Sequence, residues 1–368
     1  MSPTQLALQR FRRHLPGMIG VVWVGVCALT GLLGYWLAPD ATTHANFQVI
    51  ELAKLPPGSE AELLLLPLPG AKATDGWTRF WSGQAQQHIP LPMAEGEPLR
   101  IAPPWVKLTK PGGVPDSLRL TRLGYASGEV PSEMALRKAH IVQRTYHLGT
   151  DGYGRDLLSR IILGARVSLS VGVMAVLISL LIGLTLGTLA GYLGGWVDRS
   201  VMWLVSVLWA IPTLLMALAI AAVMQEKGLW QIYLAIGVSM WVEVARLIRG
   251  QILAVREQPY VEAAQAMGLR SGRIMLRHVL PNVISPLIVI AVANFGAAVL
   301  IESGLSFLGI GVQVPIPTWG RMINEGYTYL IFDKGQWLAI YPGLALVSLI
   351  VAVNLVGIGL RDALDVRR

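Results

Sequence analysis

Six stretches of this chain are too long, too apolar and too free of charge to be hidden in the core of a water-soluble domain. They cover residues 17–38, 167–190, 201–224, 229–248, 283–301 and 338–360. A helix rises about 1.5 Å per residue, so about 20 apolar residues cross the hydrocarbon of a bilayer. Five of the six stretches contain no Asp, Glu, Lys or Arg. The fourth carries Glu243 and Arg246, spaced to pair on one helix face. Composition agrees: 54% of the 368 residues are apolar and 14% charged, against about 25% charged in soluble domains. These features predict an all-α polytopic membrane protein with six transmembrane helices.

The 30 Lys and Arg against 22 Asp and Glu leave a net charge of +8. No basic patch is interleaved with surface aromatics, so nucleic acid is not the expected partner, and the excess instead sorts the chain across a lipid bilayer. Arg10, Arg12 and Arg13 precede the first span, Arg249, Arg256, Arg270, Arg273 and Arg277 follow the fourth, and Arg361, Arg367 and Arg368 follow the sixth. The opposite short loops hold Lys227, then Arg321 and Lys334. The positive-inside rule places both termini and the loop after the fourth span in the cytoplasm. A basic stretch before an apolar one also marks signal peptides, but the apolar stretch 17–38 exceeds the usual hydrophobic region of one, which favours an anchor. The expected organisation is a cytoplasmic tail over 1–16, a first span over 17–38, an external insert over 39–145, and a five-helix core over 146–368.

The insert is punctuated by Pro56-Pro57, Pro67, Pro69, Pro90, Pro92 and Pro103-Pro104, around short apolar runs such as Leu63 to Leu66. Such spacing suits short strands and extended loops, with a short helix expected over 136–146. Cys27 is the only cysteine, so neither a disulfide framework nor a multi-cysteine metal site can form. His14, His44, His88, His140, His147 and His278 never take zincin spacing, and there is no nucleophile elbow and no phosphate-binding P-loop. Gly183, Gly187 and Gly191 lie four apart, as do residues that let two helices approach closely. Asn294 and Asn354 lie inside spans, where an amide either lines a substrate path or bonds a neighbouring helix. Pro212 and Pro286 mark kinks or helix starts.

The segment 258–282 reads QPYVEAAQAMGLRSGRIMLRHVLPN. Residues 260–267 form helix readily, and Gly268 is a natural left-handed stop. A second short helix is expected from near Ser271 to Pro281, putting Arg270, Arg273 and Arg277 on one basic face. By residues alone this is either a docking surface or a basic element resting on anionic headgroups.

Glu262-Ala263-Ala264, then Gly268, then Leu280-Pro281, resembles the EAA loop of permease subunits of ABC importers. Further agreement comes from HLGTDGYGRDLLSR at 147–160, GAR at 164–166, GYLGGWVD at 191–198, PTWGRM at 317–322 and GLRDALD at 359–365. Together these are similar to the second permease of dipeptide and oligopeptide importers, a branch that includes nickel, glutathione and peptide-antibiotic systems. The resemblance covers about 145–368 and the first span. Trp203, Ser206 and Ile358 stand where the family usually has charged residues, which leaves charge pairing near spans three and six uninherited.

The resemblance implies the ABC type I importer permease fold, in the bacterial inner membrane. It also implies a half-channel that pairs with a homologous second permease, receives substrate from an external binding protein or lipoprotein, and is driven by two cytoplasmic ATPase subunits. ATP and magnesium would sit on those subunits, with no catalytic, cofactor or metal residue in this chain. The coupling loop, 256–282, would act through Glu262, Ala263, Ala264, Gly268, Arg270, Arg273, Arg277 and Pro281, the carboxylate orienting the helix and the alanines permitting close seating. Two rivals are a membrane-embedded enzyme, which needs paired acids or a nucleophile at bilayer depth, and a self-contained secondary transporter or channel, which needs ion-coupling residues in its spans.

Overall fold

The computed structural model describes residues 3–70, 74–94, 96, 98–126, 128–224, 228–269, 271–331 and 335–364. In chain order the helices are α1 Pro3–Arg13, α2 Leu15–Leu32, α3 Gly34–Leu37, α4 Gly76–Ser82, α5 Glu133–His140, α6 Leu157–Leu193 and α7 Gly195–Trp209. They continue with α8 Thr213–Val223, α9 Leu229–Arg256, α10 Pro259–Ala266, α11 Ser271–Ile274, α12 Leu280–Phe307, α13 Trp319–Tyr327 and α14 Trp337–Leu364. The strands are β1 Ser59–Pro67, β2 His88–Met93, β3 Arg100–Ala102, β4 Trp105–Lys110, β5 Val114–Arg119 and β6 Ile141–Tyr146.

Helices α2, α6, α9, α12 and α14 are each long and apolar enough to cross a membrane, and α7 with α8 makes a sixth candidate, bent by 92°. The third apolar stretch, expected over 201–224 with a kink or helix start at Pro212, is two helices that meet at that proline. Pro212 causes the break: it has no N–H to donate, its φ/ψ of −54/129 leaves helical space, and the helix restarts at Thr213. The tight turn expected near 225–228 lies mostly outside the described residues.

Two compact units divide the chain. One comprises Met1–Ala28, Val167–Gln313 and Leu344–Arg368. Within it α6 and α9 pack closely along a seam of small residues. A Cβ on Gly183 would lie 2.5 Å from Val244 Cβ, and one on Gly187 would lie 2.6 Å from the Ala245 carbonyl. On the facing helix, a Cβ on Gly237 would lie 2.6 Å from Ile178 Cβ. The small residues thus serve backbone-to-backbone packing, the close approach that four-residue spacing permits. At one end of the seam Asp198, in the first turn of α7, accepts a forked pair of bonds from Arg249 of α9, 2.5 Å from Nε and 2.7 Å from Nη2. The pairing of Glu243 with Arg246 does not form. Both side chains are exposed, and the Arg246 guanidinium instead lies 3.7 Å from the Trp209 ring centroid, where the aromatic face attracts it.

The other unit comprises Leu29–Arg166 and Val314–Gly343. It holds two antiparallel three-stranded sheets, ordered β2-β1-β6 and β3-β4-β5. Side chains alternate across a strand, and β1 feeds two cores. Ala61 and Leu63 pack with Phe47, Val49, Leu52 and Tyr146, while Leu64 and Leu66 pack with Met93, Val106, Leu118 and Leu136. Burial on both faces explains the unbroken leucine run. The helix expected over 136–146 is corrected: α5 ends at His140 and β6 follows. Ser132 caps α5 by accepting the Ala135 N–H, and the β-branched Ile141, Val142 and Thr145 then pair with β1.

In the same unit, motifs far apart in sequence meet at a buried polar nodule. Asp151 accepts the N–H groups of Tyr153 and Arg155, and its second oxygen lies 2.6 Å from Arg155 Nε and 3.4 Å from Arg160 Nε. Arg155 reaches Glu325 at 3.2 Å, and Glu325 in turn pairs with Arg321 at 3.1 Å. The Trp319 indole N–H donates to the Ile161 carbonyl at 2.9 Å, directly above Gly164, where a Cβ would clash with the ring. Arg155 and Arg160 are 1% and 0% exposed, so the carboxylates are what make their burial tolerable. Asp156 caps α6 by accepting the Ser159 N–H and hydroxyl, and burial pushes its carboxyl above the ordinary range.

Candidate coupling site

Helix α10 begins at Pro259, whose missing N–H costs nothing in a first turn, and the Gln258 carbonyl accepts the N–H groups of Val261 and Glu262. Glu262 stands in that first turn, where the helix dipole favours a carboxylate. Val261 and Ala264, three apart and therefore on one face, are 0% and 2% exposed. They join Val244, Ile248 and Ile252 of α9 and Ile274, Met275, Val279 and Val283 in one apolar cluster. The opposite face presents Tyr260, Glu262, Ala263, Ala266 and Met267.

Gly268 ends the helix at φ +75°, and the Leu269 N–H donates back to the Ala264 carbonyl at 3.2 Å. That bond satisfies a terminal carbonyl only if the intervening residue turns left-handed, which glycine does without a Cβ penalty. Among the described residues, chain neighbours aside, no heavy atom lies within 4 Å of where a Gly268 Cβ would sit. The turn is thus demanded by backbone conformation and not by crowding.

The second helix differs from expectation, because it does not stop at Pro281. Residues Ser271–Ile274 continue through a π-helical turn, Met275–Val279, directly into α12. The Leu280 N–H bonds the Met275 carbonyl across this wider turn, and Pro281 sits at the start of α12. A π turn relieves the clash between a proline ring and the carbonyl one turn earlier, so the helix survives. Arg273 and Arg277 are both exposed, while Arg270 lies outside the described residues. The Asn282 amide donates to the Tyr260 hydroxyl at 3.1 Å, tying the start of α12 to the start of α10.

Of the predicted loop residues, Glu262, Ala263, Arg273, Arg277 and Pro281 are accessible and Gly268 forms the turn. Ala264 differs from these: it is 2% exposed and packs into the apolar cluster of the chain's own core. Met267, 74% exposed, is a surface residue the sequence reading passed over, although its place just before the stop glycine was visible. The pairing of Arg249 with Asp198 was also missed, since no local pattern links the two. Asn294 is buried on α12 with its amide nitrogen unbonded among the described residues, whereas Asn354 is exposed on α14 and donates to the Ile350 carbonyl of its own helix. Among the described residues no hydrogen bond joins the two to each other. Among the described residues no group of three or more His, Cys, Asp or Glu side chains could hold a metal ion.

The chain thus combines several apolar helices long enough to cross a membrane with a short, exposed helix–glycine–helix seated on an apolar cluster. Residues 183–368 match the family of binding-protein-dependent transport system inner membrane components, and residues 2–57 match the N-terminal transmembrane domain of oligopeptide transport permease C. The glutathione transport system permease protein GsiD of Pectobacterium atrosepticum is 36% identical over 308 residues, covering 83% of this chain and 96% of that protein. The dipeptide transport system permease protein DppC of Alkalihalophilus pseudofirmus is 39% identical over 217 residues, covering 59% of this chain and 70% of that one. Among solved structures, that of the inward-facing MetNI methionine ABC transporter aligns over 56% of this chain and 97% of that chain, with 19% identity and TM-score 0.47. The chain belongs to the binding-protein-dependent transport system inner membrane component family and is a permease subunit of an ABC importer.

Proposed function

We propose that this subunit forms half of the translocation path for di- or oligopeptides, glutathione among them, and that α10, Gly268 and α11 transmit ATP-driven movement to the spans. The observation carrying the proposal is the split of α10: Val261 and Ala264 anchor it to the α9–α12 core, while Glu262, Ala263 and Met267 face outward. A helix fixed on one side and free on the other can be gripped by a partner and move the spans with it. The partners in this reading are a homologous permease, two ATPase subunits that hold ATP and magnesium, and an external binding protein or lipoprotein. Nickel or a peptide antibiotic is the alternative cargo within the same reading. Both termini and α10 face the cytoplasm, so a reporter near Ser271 is expected inside and one at Gly96 outside. A Gly96 tag inaccessible from outside would contradict that topology.

Glu262→Lys tests the coupling role, since it reverses a charge on the exposed face without touching Val261 or Ala264. In reconstituted complexes the variant is expected to stay assembled with its partner permease and lose binding-protein-stimulated ATP hydrolysis and uptake. Wild-type values for both would overturn the assignment, and altered lipid association alone would favour a headgroup-binding element.

A further inference from the structure

Helix α4 exposes aromatic surface that a water-facing domain has no use for. Trp77 and Trp81, one helical turn apart, are 72% and 45% exposed. Their rings meet edge-on at 5.9 Å, and Phe80 lies 6.5 and 5.1 Å from them, so the three form one aromatic cluster. An apolar patch of this kind marks a contact with a protein or a membrane, and something must place it.

The structure places it at the ends of two apolar runs. Residue 38 closes the first apolar run, and the short helix α3 there carries Tyr35 and Trp36, the latter 70% exposed. Gly83, at φ +80°, lets the chain leave α4 directly against the Tyr35 ring, where a Cβ would come within 2.5 Å of Cε1. Gln84 then bonds the backbone of Ala41 and Thr43, fixing α4 beside that end. The second apolar run begins at Val167, and the preceding Arg166 donates to the Phe80 carbonyl at 3.4 Å. Its guanidinium also lies 5.0 Å from the Trp81 ring and 5.8 Å from the Tyr35 ring. Helix α4 is thus bonded to residues that directly adjoin the ends of the first and second apolar runs in sequence. The ends of spans meet the membrane–water interface, where amphipathic Trp and Tyr rings are enriched and an arginine finds phosphates.

We propose that α4 lies in the bilayer interface at the end of the first span, with Trp77 and Trp81 inserted among the lipid headgroups beside Trp36. The insert is then moored to the membrane surface at this edge, and its position does not rest on the two span ends alone. A bimane probe tests this in the assembled transporter. In a Cys27→Ser background, Trp77→Cys is labelled and the complex placed in nanodiscs of phosphatidylglycerol and phosphatidylcholine brominated high on the acyl chain, with labelled Trp105→Cys on β4 as the comparison. The probe at 77 is expected to lose fluorescence at least about twofold relative to unbrominated lipid, and the probe at 105 to keep it. An unquenched probe at 77 overturns the proposal: access to aqueous iodide would then mean α4 faces water, and protection from iodide would mean a protein covers it. Equal quenching at 77 and 105 overturns it as well. If Trp77→Cys fails to copurify with the partner permease, labelled Trp81→Cys is read by the same criteria.

Discussion

Replacing Gly268 isolates what the turn after α10 contributes. The residue sits at φ +75° and, among the described residues and chain neighbours aside, has no heavy atom within 4 Å of a built Cβ, so a side chain meets no clash and only the left-handed backbone is penalised. For alanine that penalty is about 1–2 kcal/mol, and a β-branched valine adds to it. A cost of 1–2 kcal/mol reduces the population of the correctly turned loop by about 5- to 30-fold. Asparagine tolerates this region far better. In proteoliposomes containing the full importer, Gly268→Ala is expected to reduce binding-protein-stimulated ATP hydrolysis and uptake by about that factor. Gly268→Val should fall further and Gly268→Asn least, with membrane insertion and copurification unchanged in all three. The order Val, Ala, Asn carries the reasoning. Wild-type activity in Gly268→Val, or equal damage from asparagine and valine, would refute it.

The seam between α6 and α9 predicts that Gly187→Leu, whose Cβ would fall 2.6 Å from the Ala245 carbonyl, lowers the thermal midpoint of the purified complex by forcing backbones apart. The overpacking cost is about 1–3 kcal/mol or more, and Gly250→Leu, on α9 with open space around it, should leave the midpoint in place. Asp151→Asn should cost about 3–5 kcal/mol, because it strips the carboxylate from two arginines that stay buried. An unchanged denaturation midpoint would show that those arginines are otherwise satisfied. For Asp156, burial raises the carboxyl above its ordinary 3.8, so the folded state holds a proton that the unfolded state has released. Its stabilising contribution is therefore present at acid pH and lost as pH rises through the raised value. The difference in thermal midpoint between wild type and Asp156→Asn should change over that window, and a constant difference would contradict the shift.

The spans were legible because an uncharged run of 20 residues has few other fates, and the glycine spacing on α6 was legible because helix packing repeats every four residues. Gly268 could be read for a similar reason, as a stop residue directly after a run of helix formers. The broken third span and the continuous Ser271-to-Phe307 helix were harder, since proline marks a boundary without saying whether the chain turns or widens. Pro212 breaks its helix, whereas Pro281 is absorbed by a π turn. Within the insert, proline spacing indicated strands but not their partners, and only the pairing of β1 with β2 and β6 explains the leucine run. The polar nodule was out of reach, because Arg155 and Glu325 lie 170 residues apart in sequence. The inward turn of Ala264 escaped notice for a related reason: which side of a short helix is buried depends on α9 and α12, not on the helix itself.

If an ATPase subunit holds the outward face of α10, then Met267, 74% exposed beside the Gly268 turn, is where that contact can be read directly. A photo-crosslinking amino acid at position 267, in the complete importer in nanodiscs, is expected to yield an adduct with an ATPase subunit whose amount changes when a non-hydrolysable ATP analogue is added. An actively transporting complex in which position 267 crosslinks only to lipid, or to nothing, would contradict the account.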